Sequence, residues 1–272
     1  MLKEARNFLQ DEFEKNYFIV KDNPYFATFA KEKIHHSLQV LGAGNYILRH
    51  EPWFADKNDN FIELAGTAIL LHDIARFDEI REKYRKPQDF DHGVAGAKKL
   101  RQILLYDDIR ITLPIKHHGH LIEEFYADVE YQNIDDDNLK EEVTNIIFAI
   151  RDADKIANFN LITHDLEILE ALFVPKPEKL KTNSRQISED VLGNFYAHKT
   201  LDREKFKTQA DYMLSYIAWI FDINYKSSLM FCRKLNIVHK LFKHMMFYHD
   251  NKELNDKLEW EMDKYIKHRF GI

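Results

Sequence analysis

Apolar side chains recur every three to four residues along most of this chain, which is the period of a helix with one buried face. In the clearest example, Phe61, Leu64, Ala65, Ala68 and Ile69 fall on a single face. The same pattern predicts helices over Leu2 to Asn16, Pro24 to Arg49, Asn60 to Asp73, His92 to Leu105, Leu139 to Phe159, Ile162 to Phe173, Arg203 to Phe221, Ser227 to His249 and Lys252 to Arg269. The sequence therefore predicts an all-α protein.

Two segments interrupt this helical pattern. The charged stretch from Phe77 to Asp91 contains Pro87 and is predicted to be a loop that forms a partial lid. The stretch from Pro175 to Ser184 is the clearest candidate for a boundary between two parts of the chain. We therefore expect a helical core over residues 1–174 and a helical extension over residues 175–272, packed together as one compact unit.

Composition narrows the classes of protein and partner. Glycine (8) and proline (6) are scarce among 272 residues, and the hydrophobic content of 45% is enough for a sizeable core. The net charge is -6, and no basic cluster is interleaved with aromatic residues, so a long nucleic acid is not an expected partner. The longest apolar run is shorter than the ~20 residues that a membrane span needs. Homo-oligomerisation stays open.

The cysteine content and the start of the chain bear on its location. Cys232 is the only cysteine, which excludes an internal disulfide. The first residues are too charged to form the hydrophobic region of a signal peptide. We therefore expect a cytoplasmic protein.

Two polar side chains follow apolar faces and are expected to point inward. His72 continues the face that begins at Phe61, and Asp154 continues the face formed by Val143, Ile147 and Ile150. A buried carboxylate without a partner costs several kcal/mol, so it is rarely kept unless a positive charge compensates it. A metal cation would do so.

Further imidazoles and carboxylates are spread along the first part of the chain. Neutral imidazole nitrogens and ionised carboxylates bind divalent transition metals, and packed helices can gather ligands that are distant in sequence. The candidate ligands are His36, His72, Asp73, His92, His117, His118 and Asp154. These residues predict a metal centre inside a helical bundle.

A set of separated motifs carries a family resemblance. The motifs are His36-Ser-Leu-Gln-Val40, Leu-Leu-His72-Asp73-Ile-Ala-Arg76-Phe77, Asp91-His92-Gly-Val-Ala-Gly96-Ala97, Ile115-Lys-His117-His118 and Arg151-Asp152-Ala-Asp154-Lys155. In order and interval they resemble the HD-domain superfamily of metal-dependent phosphohydrolases. The stretch from Trp219 to Asn224 is also similar to the carboxy-terminal part of a bacterial subgroup of HD proteins whose substrates are not named.

The resemblance implies a particular ligand set. His36, His72, Asp73 and Asp154 would hold one divalent metal, and His92 and His118, with His117 adjacent, would hold a second metal bridged by Asp73. The spacing to Val40 favours His36 over its neighbour His35 as the inward residue. The choice between His117 and His118 stays open. The cofactor would be one or two divalent ions chosen from Mn, Fe, Zn, Ni, Co or Mg.

The resemblance also implies hydrolysis of a phosphate ester or anhydride of a small molecule, with a nucleotide as the expected partner. The metal would lower the pKa of a bound water toward ~7, and Asp73 would orient the nucleophile. Arg76 and Lys155 are candidates to hold the phosphate, and surface ion pairs explain them equally well. His118 is followed by Gly119-His120 rather than Gly-Tyr-Pro, which disfavours a cyclic dinucleotide substrate.

Two other functions compete with hydrolysis. One branch of the same fold uses this ligand set for oxygen chemistry, so a dinuclear iron oxygenase is an alternative. A regulatory protein that binds a metal or nucleotide without turnover is another. An oxygenase consumes O₂, and a regulatory protein releases no phosphate.

Overall fold

The computed structural model describes residues 1–164, 174–180, 182, 184–199, 201 and 205–272. Within these ranges the regular secondary structure is helical and contains no β-strand, which confirms the all-α prediction. None of the helices in these ranges has an apolar stretch of the length that a bilayer requires.

The chain divides into two compact units, Met1–Asp154 and Lys155–Ile272. The boundary falls inside the helix Asp137–His164. The division after residue 174 that the sequence suggested stays a prediction.

The first unit is built from helices of very different lengths. In chain order they are α1 (Leu2–Val20), α2 (Pro24–His50), α3 (Pro52–Ala55), α4 (Asp59–Leu71), α5 (Arg76–Arg85), α6 (His92–Leu100), α7 (Ile109–His117), α8 (Ile122–Ala127), α9 (Val129–Gln132) and α10 (Asp137–His164). α2 begins where Asn23 accepts hydrogen bonds from the backbone of Tyr25 and Phe26, with Pro24 in the first turn. This start is the one predicted from the sequence.

The helices α2, α4, α6 and α7 form the centre of this unit. α2 packs on α4, α4 packs on α7, and α7 packs on α6. Ile47, Ile69 and Leu113 are fully buried, one from each of α2, α4 and α7. A Cβ atom added to Gly44 would lie 2.8 Å from the side chain of Ile69, so glycine allows the close approach of α2 and α4. The burial of these apolar faces brings together the ends of α4, α6 and α7.

The prediction of a loop from Phe77 to Asp91 was wrong over most of that stretch, because α5 occupies Arg76–Arg85. Its charged residues support a helix: Glu79 pairs with Arg76 three residues earlier and with Lys83 four residues later. Acidic residues in the first turn and basic residues in the last turn also suit the helix dipole. Only residues 86–91 remain outside a helix.

The second unit is helical as well. It contains the end of α10, a 3-10 turn (Pro177–Lys179), α11 (Glu189–Tyr196), α12 (Gln209–Ala218), a 3-10 turn (Trp219–Asp222), α13 (Lys226–Lys234), α14 (Ile237–Met245) and α15 (Lys252–Phe270). The helix predicted over Ile162 to Phe173 lies outside the described residues from residue 165 onward, and so do Arg203 and Glu204 at the start of another predicted helix.

Two helix boundaries in this unit differ from the prediction. Asn236 adopts a left-handed conformation with φ of 54° and divides the continuous helix predicted over Ser227 to His249 into α13 and α14. α12 begins at Gln209 because Thr208 and Asp211 form a reciprocal cap. The buried carboxylate of Asp211 also accepts hydrogen bonds from the backbone and hydroxyl of Ser188.

Candidate metal centre

The first unit gathers six of the predicted ligands from five elements. They are His36 within α2, His72 and Asp73 in the turn after α4, His92 at the start of α6, His118 directly after α7 and Asp154 in α10. Four of these side chains are buried: His36, His72, Asp73 and His118. The buried position of His72 confirms the prediction made from the apolar face before it, and His36 is buried whereas His35 is exposed.

His36, His72 and Asp73 form a first group of potential ligands. Their ligand atoms all lie within 4.8 Å of one another. Asp154 joins this group, because its Oδ1 lies 2.8 Å from His36 Nε2 and 3.9 Å from His72 Nε2. The structure therefore brings together the four residues that were expected to hold the first metal.

Asp73, His92 and His118 form a second group. Asp73 Oδ1 lies 3.3 Å from His92 Nε2 and 3.4 Å from His118 Nε2, and the two imidazole nitrogens are 3.2 Å apart. Ligands about 2.0 to 2.2 Å from one ion, at tetrahedral or octahedral angles, are themselves about 3 to 3.5 Å apart. The triangle of donors therefore has the dimensions of a coordination shell, and Asp73 belongs to both groups.

The hydrogen bonds of His72 and His118 use Nδ1 and leave Nε2 able to bind a metal. His72 Nδ1 donates to the carbonyl of Ile69 at 2.9 Å, and His118 Nδ1 donates to the carbonyl of Ile115 at 2.8 Å. These bonds place the protons on the outer nitrogens and the lone pairs on Nε2, as in metal-bound histidines. His72 Nε2 is buried and has no hydrogen-bond partner in the described part of the chain. A divalent ion would satisfy it.

Burial keeps the imidazoles of His72 and His92 neutral. It lowers the pKa of His72 to about 4 and the pKa of His92 to about 3, although nearby carboxylates oppose the shift. Near pH 7 both rings therefore offer a lone pair, which is the form that binds a metal. The donor set consequently fits one or two divalent ions.

Asp73 is ionised despite being only 4% exposed. Burial would raise the pKa of Asp73, but the positive charges of Lys33 and Arg76 hold that pKa well below its usual range. Lys33 Nζ lies 3.3 Å from Oδ2, and Arg76 Nε lies 3.3 Å from Oδ1. Burial would raise the pKa of Asp154, but its hydrogen bond to His36 and its electrostatic interactions with His36 and His72 together lower it.

Lys33 also contacts the ligand cluster, through Asp73, and the sequence pattern did not indicate it. It precedes His36 by three residues, which places both side chains on one face of α2. That spacing was the available signal, but a lysine on a helix usually lies in solvent. Its contact with Asp73 across 40 residues appears only in the fold.

The structure does not bring His117 into the cluster. Its Nε2 lies 2.6 Å from Asp128 Oδ2, and its Nδ1 lies 3.2 Å from His120 Nδ1. Successive residues of a helix point about 100° apart, so His117 and His118 face different sides of α7. Of the two neighbours, His118 meets Asp73.

The two basic residues proposed for phosphate binding have different surroundings. Arg76 contacts Asp73 and also donates from NH1 to Glu79 Oε2 at 2.7 Å. Lys155 belongs to the second unit, where its Nζ pairs with Asp222 Oδ2 at 2.8 Å. This contact corresponds to the alternative interpretation of Lys155 as part of an ion pair, and its role in phosphate binding stays a prediction.

Gly93 allows the close packing that places His92 beside His118. A Cβ atom at this position would lie 2.5 Å from the carbonyl oxygen of Lys116, so a larger residue would push α6 away from α7. The backbone after α7 is held by Arg151, whose Nη1 donates to the carbonyls of His118 and His120 at 3.2 and 2.5 Å. These backbone contacts fix the chain that carries the second group of ligands.

The first unit is thus a helical domain with two histidine and aspartate groups that could hold a divalent metal. Residues 34–158 match the family model of the HD domain. This match confirms that the segment resembles the HD-domain superfamily. No significant match was found among curated proteins or among solved structures. The matched segment contains all six gathered ligands.

Proposed function

We propose that this protein is a metal-dependent phosphohydrolase that cleaves a phosphate ester or anhydride of a small molecule, with nucleotides as the first class to test. The observation that carries the proposal is the position of Asp73, which belongs to both groups of potential metal ligands, each with its ligand atoms within 4.8 Å of one another. The HD domain supports the same chemistry.

Each group of the site has a distinct role in this proposal. Divalent metal, when bound, supplies an activated water and neutralises charge on the phosphoryl oxygens. Asp73 orients the reacting groups, and its contacts to Lys33 and Arg76 keep it ionised. The same two cations are close enough to the carboxylate to hold phosphoryl oxygens next to it. The protons on Nδ1 of His72 and His118 stay bonded to carbonyls and fix the ring orientations.

The test combines metal analysis with a substrate screen. Purified protein is assayed for metal content and then for phosphate release with Mn²⁺ from aryl phosphates, other phosphomonoesters and nucleotides. Wild type is compared with Asp73→Ala and with Asp56→Ala, which removes an exposed carboxylate elsewhere in the same unit. We expect wild type and Asp56→Ala to bind metal and release phosphate, and Asp73→Ala to lose both.

Other results would favour the competing functions. Metal binding without phosphate release from any substrate would indicate a regulatory module. Consumption of O₂ by an iron-loaded protein, with no anaerobic hydrolysis, would indicate an oxygenase. Undiminished turnover by Asp73→Ala would remove Asp73 from the mechanism. The cytoplasmic location and the absence of nucleic-acid and membrane partners stay predictions.

A further inference from the structure

A cavity of about 420 Å³ opens beside the second group of metal ligands. Its walls are formed by Lys83, Asp89, Phe90, Asp91, His92, Gly93, Gly119 and His120. His92 belongs both to the cavity wall and to the ligand group with Asp73 and His118. A molecule whose phosphoryl group lies at the metals could therefore extend into this cavity.

The cavity offers one free carboxylate. Asp91 is already engaged, since Oδ1 accepts from the backbone of Val94 and Oδ2 lies 2.9 Å from His120 Nε2. Asp89 is exposed and has neither a hydrogen-bond nor an ion-pair partner among the residues that the structure describes. Its oxygens are therefore available to accept hydrogen bonds from a ligand.

Donors and an apolar surface lie next to this carboxylate. Lys83 Nζ uses one contact for Glu79 Oε1 at 2.6 Å, which leaves further N–H groups for a ligand. Phe90 directly follows Asp89, and its partly buried ring contributes an apolar wall. Acceptors, donors and an aromatic ring together suit a carbon skeleton that carries several hydroxyl groups.

The charges of the cavity argue against a second phosphate as its occupant. Asp89 and Asp91 both carry negative charge on the wall, whereas the one ammonium group, that of Lys83, is already paired with buried Glu79. A second anionic group would meet two like charges. Neutral hydroxyl groups meet no such penalty.

We propose that this cavity binds the polyhydroxylated alcohol part of the phosphate ester, and that Asp89 and Phe90 select it. The substrate class is therefore a sugar phosphate, or a nucleotide whose sugar lies in the cavity. This inference rests on the proposed phosphohydrolase function and names the substrate class of the same site.

The experiment compares two phosphomonoesters of similar length, ribose 5-phosphate and n-pentyl phosphate, with p-nitrophenyl phosphate as the reference for basal activity. The variants are Asp89→Ala and Phe90→Leu. The matched controls are Asp135→Ala and Phe18→Leu, which change exposed residues of the same types that do not line the cavity. All are tested as full-length, metal-loaded protein, and kcat and KM are measured separately.

We expect wild type to hydrolyse ribose 5-phosphate with kcat/KM about tenfold above that for n-pentyl phosphate, since each hydroxyl contact adds binding free energy. Asp89→Ala should remove most of this preference through a rise in KM, with less than about a twofold effect on n-pentyl phosphate. The reference ester carries no hydroxyl group for Asp89 to bind, so its kcat in Asp89→Ala should stay at the wild-type value. The two controls should behave as wild type.

The outcomes separate this inference from the proposed function. Equal hydrolysis of ribose 5-phosphate and n-pentyl phosphate, or an unchanged preference in Asp89→Ala, would overturn the inference. Hydrolysis of the reference ester in the same experiment would still support the proposed function. A better substrate with a second phosphate in place of the hydroxyl groups would also overturn it. Failure to hydrolyse every ester, the reference included, would overturn both.

Discussion

His92 Nε2 lies 3.2 Å from His118 Nε2, although 26 residues separate the two histidines in the sequence. At this distance the two Nε2 atoms can share one hydrogen bond when one of them carries a proton. Both also lie within 3.4 Å of Asp73 Oδ1, so the three atoms form a group that could hold a cation. Removing one donor should weaken the binding of that cation.

His118→Ala should reduce metal content, whereas the neighbouring His117→Ala should preserve it. Only His118 meets Asp73, and His117 contacts Asp128 and His120 instead. We expect His118→Ala to lose one metal equivalent and most activity, and His117→Ala to keep the metal content of wild type. Elemental analysis after dialysis measures the stoichiometry. Equal loss in the two variants would contradict the assignment of His118.

Gly93→Ala should destabilise the first unit. The new Cβ would meet the backbone oxygen of Lys116 at 2.5 Å, and neither backbone can move without separating α6 from α7. We expect a loss of about 1 to 3 kcal/mol in the free energy of unfolding, together with weaker metal binding.

The control for this change is Gly42→Ala in the middle of α2, where nothing lies within 4 Å of the added Cβ. This substitution should stabilise the protein by about 0.4 to 1 kcal/mol, because alanine loses less backbone entropy than glycine. Urea denaturation of the metal-free proteins measures both values. A stable Gly93→Ala variant with full metal content would show that the helix contact is not tight.

The stability of the metal-free protein should depend on pH through His72. Burial lowers the pKa of His72 to about 4, whereas in the unfolded chain the ring titrates near 6.5. Between these values the ring binds a proton in the unfolded state but not in the folded state. The contribution of His72 to the free energy of unfolding is therefore complete above pH 6.5 and decreases as the pH falls toward 4. At 1.36 kcal/mol per pKa unit, this residue accounts for at most about 3 kcal/mol.

Urea denaturation of wild type and His72→Asn between pH 4 and 7 isolates this contribution. Asp73 and Asp154 have lowered pKa values, so their contribution is complete over most of this window and begins to be lost only near its acidic end. Both carboxylates remain in the variant, so the difference between the two proteins reports His72. The wild-type curve should be steeper than that of the variant. Parallel curves would mean that His72 titrates normally in the folded protein.

Lys33→Met should lower kcat strongly and change the free energy of unfolding little. The change removes a positive charge 3.3 Å from Asp73 while retaining most of the apolar side chain. If Lys33 also stabilises phosphoryl charge, kcat should fall about a hundredfold. Lys31→Met, two residues earlier on the same helix, is the control and should retain wild-type kcat. Unaltered kcat in Lys33→Met would restrict Lys33 to a structural role.

The apolar faces explain which site residues could be predicted from the sequence. His72 and Asp154 continue apolar faces, so helical period alone predicts that they point inward. His72 is fully buried, whereas the side chain of Asp154 is 28% exposed and reaches His36. Lys33 could not be found in this way, because its partner is distant in sequence and a helical lysine is usually solvated. The choice of His118 over His117 depends on where α7 ends, and sequence period does not determine this to one residue.

The predicted helix boundaries were wrong where local contacts, and not a hydrophobic pattern, determine the helix. α5 has few apolar residues, and pairs such as Arg76 with Glu79 support it instead. The division at Asn236 depends on a left-handed backbone conformation, which asparagine adopts at some positions and avoids at others. Neither feature leaves a clear periodic signal.

The contact between His36 and Asp154 joins residues 118 positions apart. During synthesis, therefore, the ribosome must release α10 before the first ligand group is complete. A nascent chain that ends earlier can present imidazoles but cannot close their coordination shell. A coordination shell that includes Asp154 would therefore form only after nearly the whole amino-terminal unit has emerged.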